Sequence, residues 1–401
     1  MSDAPDRAIN GVAMIAILIA LLGTIIGLAA TDLVLPAVTV IPDVLGGTQA
    51  EAQFILGAYI AGTSIGLILW GEAGAKFDQL KLMMDSLLCF SFVSLISPYM
   101  PNTLALSTCR LAQGLFDAAP TVFAPVWIRA VLPERYVVQS FGMLASFESL
   151  TPAFAPILGL WLLSSFGWSS SFYLLGGLAL ITLLALIGVK TIHPSLKVVG
   201  ARGSYVSLIR SAQYMRYGLS QAASLSGLLI FVFGMPAVTV HVFELKMSTF
   251  ISMQVIGIVC FIFCANTATY LVARFSAEGV ILVGSSLSAL AMLLMWSLAA
   301  FGVGQFYVYV ALLTLVNAGL GMRGPPGFNQ ALQVSDGNEA RAAGLLLFSA
   351  FLLTAMGTAV TAAFVEFGML ELLAVSFGVL ALSPAMLITL KRRGLEQIAK
   401  T

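Results

Sequence analysis

Apolar runs long enough to cross a bilayer alternate with short polar breaks along almost the whole chain. Twelve spans are predicted, at about 11–36, 51–74, 82–100, 102–129, 139–164, 168–189, 217–243, 248–274, 279–302, 304–334, 342–366 and 369–390. They are expected to be helices, because irregular backbone cannot satisfy its polar groups in lipid. The longest polar break, Lys190 to Arg216, divides them six and six. The expected organisation is a six-helix bundle over 1–189, a cytoplasmic linker over 190–216 and a second bundle over 217–401.

Basic residues orient the chain. With both termini cytoplasmic, sixteen of the nineteen Lys and Arg fall on cytoplasmic segments: Arg7, Lys76, Lys81, Arg129, Arg135, Lys190, Lys197, Arg202, Arg210, Arg216, Arg274, Arg341, Lys391, Arg392, Arg393 and Lys400. Lys246 falls outside, and Arg110 and Arg323 fall within spans four and ten, at equivalent positions of the two halves. The start, MSDAPDRAIN, is acidic and precedes an apolar run too long for a signal-peptide core, so the first span is expected to be retained. Trp70, Trp127, Trp161 and Trp168 fall near span ends, where an interfacial aromatic belt belongs. Gly57, Gly62, Gly66 and Gly71 give span two a face that permits close helix crossings.

Composition closes off most other classes. The 401 residues are 59% hydrophobic and 9% charged, with a mean hydropathy of +1.00, which excludes a soluble globular protein. A net charge of +1 without a basic run gives no footprint for nucleic acid. Cys89, Cys109, Cys260 and Cys264 all fall in apolar stretches and read as small core residues. Cys260 and Cys264 share a helix face, which with 16 methionines leaves a soft-metal transporter as a minor alternative. No nucleophile with His and acid partners and no phosphate-binding loop of the G-x-x-x-x-G-K-[ST] type is present, so an enzyme or an ATP-driven pump is not expected, and no cofactor is.

The chemistry lies in charges that remain inside the apolar runs: Asp32, Arg110, Asp117, Glu148 and Arg323, with Asp85 near the start of span three. Facing lipid, each would cost about 2.5–3.5 kcal/mol, so they are expected to face an interior. Asp32 and Arg110 are placed for a cross-helix pair. Asp117 follows Arg110 by two helical turns and shares its face. Asp117 and Glu148 are expected at similar depth, where burial and mutual repulsion would poise one of them as a proton or cation carrier. Gly324, Pro325, Pro326 and Gly327 beside Arg323 are expected to break or bend span ten, with Arg323 either compensating the carboxylates or meeting an anionic substrate group. Gln113 and Asn329 join Asp117, Glu148 and Arg323 as candidate cavity residues.

Six plus six spans, a cytoplasmic linker and short loops resemble the major facilitator superfamily over the whole chain. Three segments resemble its bicyclomycin-resistance (Bcr/CflA) type of drug/proton antiporter. TDLVLPAV, Thr31 to Val38, is similar to the D-x-x-L-P-A element ending the first helix. CRLAQG, Cys109 to Gly114, is similar to the fourth-helix R-x-x-Q-G element, and the resemblance implies a proton-coupling role for Arg110. Span five is similar to the antiporter motif P-x-x-x-P-x-x-G at Pro152, Pro156 and Gly159, followed by Gly167, Trp168 and Phe172. The loop from Gly71 to Lys81 departs from the gate motif G-x-x-x-D-R-x-G-R-[RK]: Ala75 stands where Asp is expected and Asp78 where the second Gly is expected, and Gly71, Glu72, Lys76 and Asp78 are the candidate gate residues. Contacts that latch this gate then depend on Glu72 or Asp78 taking over.

The resemblance implies a monomeric proton-coupled antiporter of the bacterial inner membrane, exporting small organic molecules by alternating access about a midplane chamber. Asp32, Arg110, Asp117 and Glu148 are its expected proton-coupling residues. The rival expectations are an uptake symporter or uniporter in which Arg110 and Arg323 clamp an anionic metabolite, and a transport-incompetent sensor on the same scaffold.

Overall fold

The computed structural model describes residues 11–192, 203–302, 305–362 and 368–390. Arg7, His193, Lys197, Arg202, Lys391, Arg392, Arg393 and Lys400 lie outside the described residues. These contain no strand, and their twelve long helices follow the twelve predicted spans. The first six are α1 (Gly11–Val34), α2 (Gln49–Lys76), α3 (Gln79–Ile96), α4 (Thr103–Val131), α5 (Glu134–Phe166) and α6 (Ser170–Ile192). The second six are α7 (Ser220–His241), α8 (Met247–Phe275), α9 (Ala277–Ala300), α10 (Phe306–Gln333), α11 (Glu339–Ala362) and α12 (Leu370–Thr389).

Ten of these helices are long and apolar enough to cross a membrane, and α5 adds an eleventh if the two sides of its 40° bend at Pro152–Phe154 count as one span. The twelfth expected span, α4, has the length, 29 residues, but not the hydropathy. Its inward face carries Arg110, Gln113 and Asp117, all buried.

Helix ends are set by side chains that take up otherwise unpaired backbone groups. Thr48 and Glu51 form a reciprocal capping box at the start of α2. Asp78 accepts from the amides of Leu80 and Lys81 to start α3, and Asn102 accepts from Ala105 to start α4. Between Leu35 and Thr39, Pro36 converts the end of α1 into a 3-10 turn.

The second half of the expected linker is helical. Tyr205–Arg210 is a short helix, and Ala212–Tyr214 followed by the π turn Met215–Leu219 leads directly into α7. Arg216, expected on a cytoplasmic segment, is buried there and paired with Glu278 at the start of α9.

Two prolines lie inside α10. Gly324, Pro325, Pro326 and Gly327 were expected to break or bend it; the helix runs unbroken from Phe306 to Gln333. Two prolines remove two N–H donors and press against the carbonyls four residues back. Here the helix is enclosed: Pro325, Pro326 and Gly327 are buried, and the preceding Gly321 lets the backbone close onto Phe261 of α8. Surrounding packing therefore holds the helical path despite the lost bonds.

The chain divides into two compact units. The first comprises Met1–Val137, Phe147–Arg202 and Asn338–Leu345; the second comprises Val138–Ser146, Gly203–Gly337 and Leu346–Thr401. Each six-helix half thus gives one short segment to the other unit. In the first unit α2 and α4 pack along a seam where Gly62 lies against the backbone of Leu111 and Leu115. The second is built on a large apolar cluster including Phe231, Met292, Tyr309, Leu313 and Leu372.

Of the tryptophans expected in an aromatic belt, Trp161 is exposed and packs edge-on against Phe166. Trp70 is half-buried and Trp127 buried in the first unit. Their indole N–H groups donate to the Leu115 carbonyl at 2.7 Å and to Gln79 Oε1 at 3.0 Å.

Candidate functional site

The α2–α4 seam positions a polar cluster inside the first unit. Arg110, with 0% exposure, is the hub. Its Nη2 donates to the Ala30 carbonyl of α1 at 3.2 Å and its Nη1 to Gln113 Oε1 at 3.0 Å, one turn along α4. Gln113 in turn donates to Ser94 Oγ of α3 at 2.8 Å. The guanidinium lies 4.2 Å from the ring centre of Tyr59 on α2, where a cation over an aromatic face in a water-poor interior is stabilised by about 2 kcal/mol.

Seven residues along α4 separate Arg110 from Asp117, a rise of about 10 Å, so the two do not touch directly. Tyr59 fills the interval. Its hydroxyl donates to the Gly27 carbonyl of α1 at 2.8 Å and stands beside the Asp117 carboxyl. That carboxyl is lodged against the bare Cα of Gly27: a Cβ built there would stand 1.5 Å from Oδ1. Only glycine at position 27 leaves room for it.

Asp32 and Arg110 do not form the expected ion pair. The arginine reaches the Ala30 carbonyl on the same helix, and Asp32, half-buried, has no hydrogen-bond or ion-pair partner among the described residues. Asp32 acts through space on Tyr59. The expected repulsion between Asp117 and Glu148 is also not found. Tyr59 and Arg110 stand near Asp117, whereas no charged partner of Glu148 is found among the described residues. Asp117 turns toward α1, and Glu148 is half-buried on α5 without a partner among the described residues.

The second unit carries a related hub. Arg323, also 0% exposed, donates through Nη1 to the Ser220 carbonyl of α7 at 2.7 Å, to Ser383 Oγ of α12 at 2.9 Å and to Ser224 Oγ. Ser383 continues the network to Ser285 of α9 at 3.1 Å. As with Arg110, an arginine on the fourth helix of its half holds a carbonyl on the first. Unlike Arg110, Arg323 has no carboxylate acting on it among the described residues.

The expected cavity set therefore separates. Gln113 and Arg323 have no exposed surface, and Asn329 and Asp117 are 5% and 6% exposed, so these four are interior groups of their units. Asp32 and Glu148 present more surface. Tyr59 and Gly27 joined no sequence motif; their part in the cluster comes from the helix crossing itself.

At the gate loop Glu72 occupies the centre. It accepts from Arg341 Nε at 2.5 Å and Nη2 at 3.1 Å, and from Lys76 Nζ at 2.7 Å. Arg341, in the segment assigned to the first unit, also donates to Asn338 Oδ1 at 2.9 Å. Gly71 lies near Gly344 of that segment. With Ala75 where the motif has Asp, Glu72 supplies the carboxylate one helical turn earlier, and Asp78 caps α3 instead of leaving the loop bare. Cys260 and Cys264, the pair considered for soft metals, are half-buried with adjacent thiols on α8.

Comparison with known proteins gives a consistent picture. The chain is 22% identical over 256 residues to a bicyclomycin resistance protein homolog of Haemophilus influenzae, covering 62% of this chain and 64% of that protein. It is 23% identical over 310 residues to the multidrug resistance protein MdtL of Vibrio parahaemolyticus, covering 76% and 77%. The match spans just under two thirds of the length of the first of these relatives. Among solved structures, a bacterial homologue of the iron transporter ferroportin in an outward-facing state superposes with a TM-score of 0.77 at 14% identity, covering 95% of this chain and 100% of that one; this likeness is one of fold. The family model of the Major Facilitator Superfamily matches residues 20–358. The chain is a multi-pass membrane protein belonging to the Major Facilitator Superfamily.

Proposed function

We propose that the protein is a proton-coupled antiporter of the bacterial inner membrane, exporting small drug-like or metabolite molecules by alternating access. The observation that carries this reading is the Asp117 carboxyl, held in a buried cluster with Tyr59 and Arg110 and with no carboxylate-to-arginine contact to fix its charge. A carboxyl in such a site can gain and lose a proton as its surroundings change, which is what coupling to a proton gradient needs. Proton entry releases about 2.3 kcal/mol per charge per 100 mV of membrane potential. Similarity to proteins named for bicyclomycin and multidrug resistance supports export of organic molecules. Asp32 and Glu148, half-buried and without a partner among the described residues, favour cationic or polar substrates.

Uptake of an anion would require Arg110 or Arg323 to reach the substrate, and neither has exposed surface. The test is a proteoliposome panel of cationic, neutral and anionic compounds, chloramphenicol among the neutral ones, across imposed pH gradients. Export driven by inward proton flow supports the reading. Gradient-independent flux, or flux of anions alone, refutes it.

A further inference from the structure

Tyr59 meets Gly27, Arg110 and Asp117 in the first-unit cluster, and its chemistry allows it to do more than fill space. A phenol has one proton to donate and lone pairs to accept with. Two acceptors stand around that proton: the Gly27 carbonyl, 2.8 Å from the hydroxyl oxygen, and the Asp117 carboxyl beside it. The same ring supports the Arg110 guanidinium at 4.2 Å. Arg110 holds the Ala30 carbonyl of α1, three residues beyond Gly27. Two neighbouring carbonyls of one helix are thus bound by one tyrosine–arginine stack.

We infer that Tyr59 is the positioning residue that transmits the protonation state of Asp117 to α1, by switching its single hydroxyl proton between the Asp117 carboxylate and the Gly27 carbonyl. When Asp117 is ionised it accepts the phenol proton, and Gly27 keeps only its helical partner. When Asp117 is protonated its own O–H donates to the Tyr59 oxygen, and the phenol proton turns to the Gly27 carbonyl. No proton leaves the Tyr59 oxygen in either state; the hydrogen bonds reverse direction and the α2–α1 bond is made or released. The ionisable groups that act on one another here are Asp32 on α1, Tyr59 on α2, and Arg110 and Asp117 on α4. Glu148 on α5 does not act on them.

Two packing facts make the switch specific. The Asp117 carboxyl is lodged in the notch that Gly27 leaves in α1, which sets it beside the phenol. Gly114 on α4 lets the backbone carbonyl of Tyr59 approach to where its own Cβ would be, 2.0 Å away, which fixes α2 at this point. Phenylalanine at position 59 would preserve ring, volume and cation contact and remove only the switching proton.

This inference rests on the proposed coupling role of Asp117, and its test separates the two. Infrared difference spectra of the full-length protein in lipid nanodiscs are recorded between acid and neutral pH for the wild type, Asp117→Asn and Tyr59→Phe, with thermal unfolding of each variant as the folding check. The expected wild-type spectrum holds a protonated-carboxyl band, absent in Asp117→Asn, together with tyrosine C–O bands that change in step with it. In Tyr59→Phe the carboxyl band is expected to persist but move to higher frequency, as it loses a hydrogen-bond partner, and the tyrosine bands to vanish. An unmoved carboxyl band in a folded Tyr59→Phe, or tyrosine bands that survive it, overturns the role of Tyr59 while leaving proton coupling at Asp117 standing. Absence of any Asp117-dependent band in the wild type overturns both.

Discussion

Replacing Gly27 by alanine puts the arrangement of the cluster under direct strain. The added Cβ would stand 1.5 Å from Asp117 Oδ1, 2.1 Å from Cγ and 2.2 Å from Oδ2, against an ordinary contact of 3.4 Å or more. The carboxyl must retreat by roughly 1.9 Å, the difference between 3.4 and 1.5 Å, which removes it from Tyr59. Overpacking of this kind costs about 1–3 kcal/mol, and loss of a hydrogen bond to a buried charged group about 1.5–3 kcal/mol. In an Asp117→Ala background the obstacle is gone, and Gly27→Ala should be neutral or stabilising by up to about 1 kcal/mol, because alanine favours the helix. A double-mutant cycle followed by equilibrium unfolding in mixed micelles should therefore give a coupling of about 3 kcal/mol or more between the two sites. Equal costs of Gly27→Ala in both backgrounds would refute the placement of Asp117 against α1.

Two further substitutions probe the surroundings. Along the α2–α4 seam, Gly62→Ala brings a Cβ to 2.0 Å from the Leu111 carbonyl and should destabilise by about 1–3 kcal/mol, whereas Gly57→Ala, with nothing within 4 Å, should be neutral or stabilising; equal melting temperatures for the two variants would contradict the seam. At the gate loop, Glu72→Gln leaves Arg341, whose side chain is 5% exposed, without its carboxylate. Because the Glu72 side chain is 37% exposed and partly screened, the expected loss is about 1–2 kcal/mol, with Lys76→Gln costing less; the reverse order in thermal unfolding would show that Glu72 does not centre this loop.

The fold was legible because lipid leaves few options: apolar runs of bilayer length must be helices, and the boundaries of α1 to α12 follow them within a few residues. The alternation of basic residues assigned Arg216 a side of the membrane but no partner, because a cation before a helix reads alike from sequence whether it is solvated or buried against Glu278. Pro325 and Pro326 left the path of α10 open for a related reason. Their local preference is to break a helix, and the enclosure that overrides it arises from helices distant in sequence. Within the site, Arg110 and Asp117 stood out as charges in apolar surroundings, and their shared face followed from the helical repeat. Tyr59 and Gly27 did not stand out. An aromatic residue and a glycine in a membrane span are ordinary packing choices, and only the crossing of α1, α2 and α4 turns them into a hydrogen-bond bridge and a notch. Asp32 shows the opposite failure: a charge near Arg110 in sequence logic proved to have a backbone carbonyl as its competitor.

The central claim is that protonation of Asp117 is the event through which the proton gradient drives transport. Reconstituted wild-type protein and Asp117→Asn, loaded with a substrate found in the compound panel, can be followed with a pH-sensitive dye and the substrate signal in the same vesicles. Wild-type protein should move protons inward in step with substrate leaving. Asp117→Asn should lose substrate-linked proton movement while retaining exchange of substrate for substrate. Undiminished proton movement coupled to substrate in folded Asp117→Asn would contradict the account.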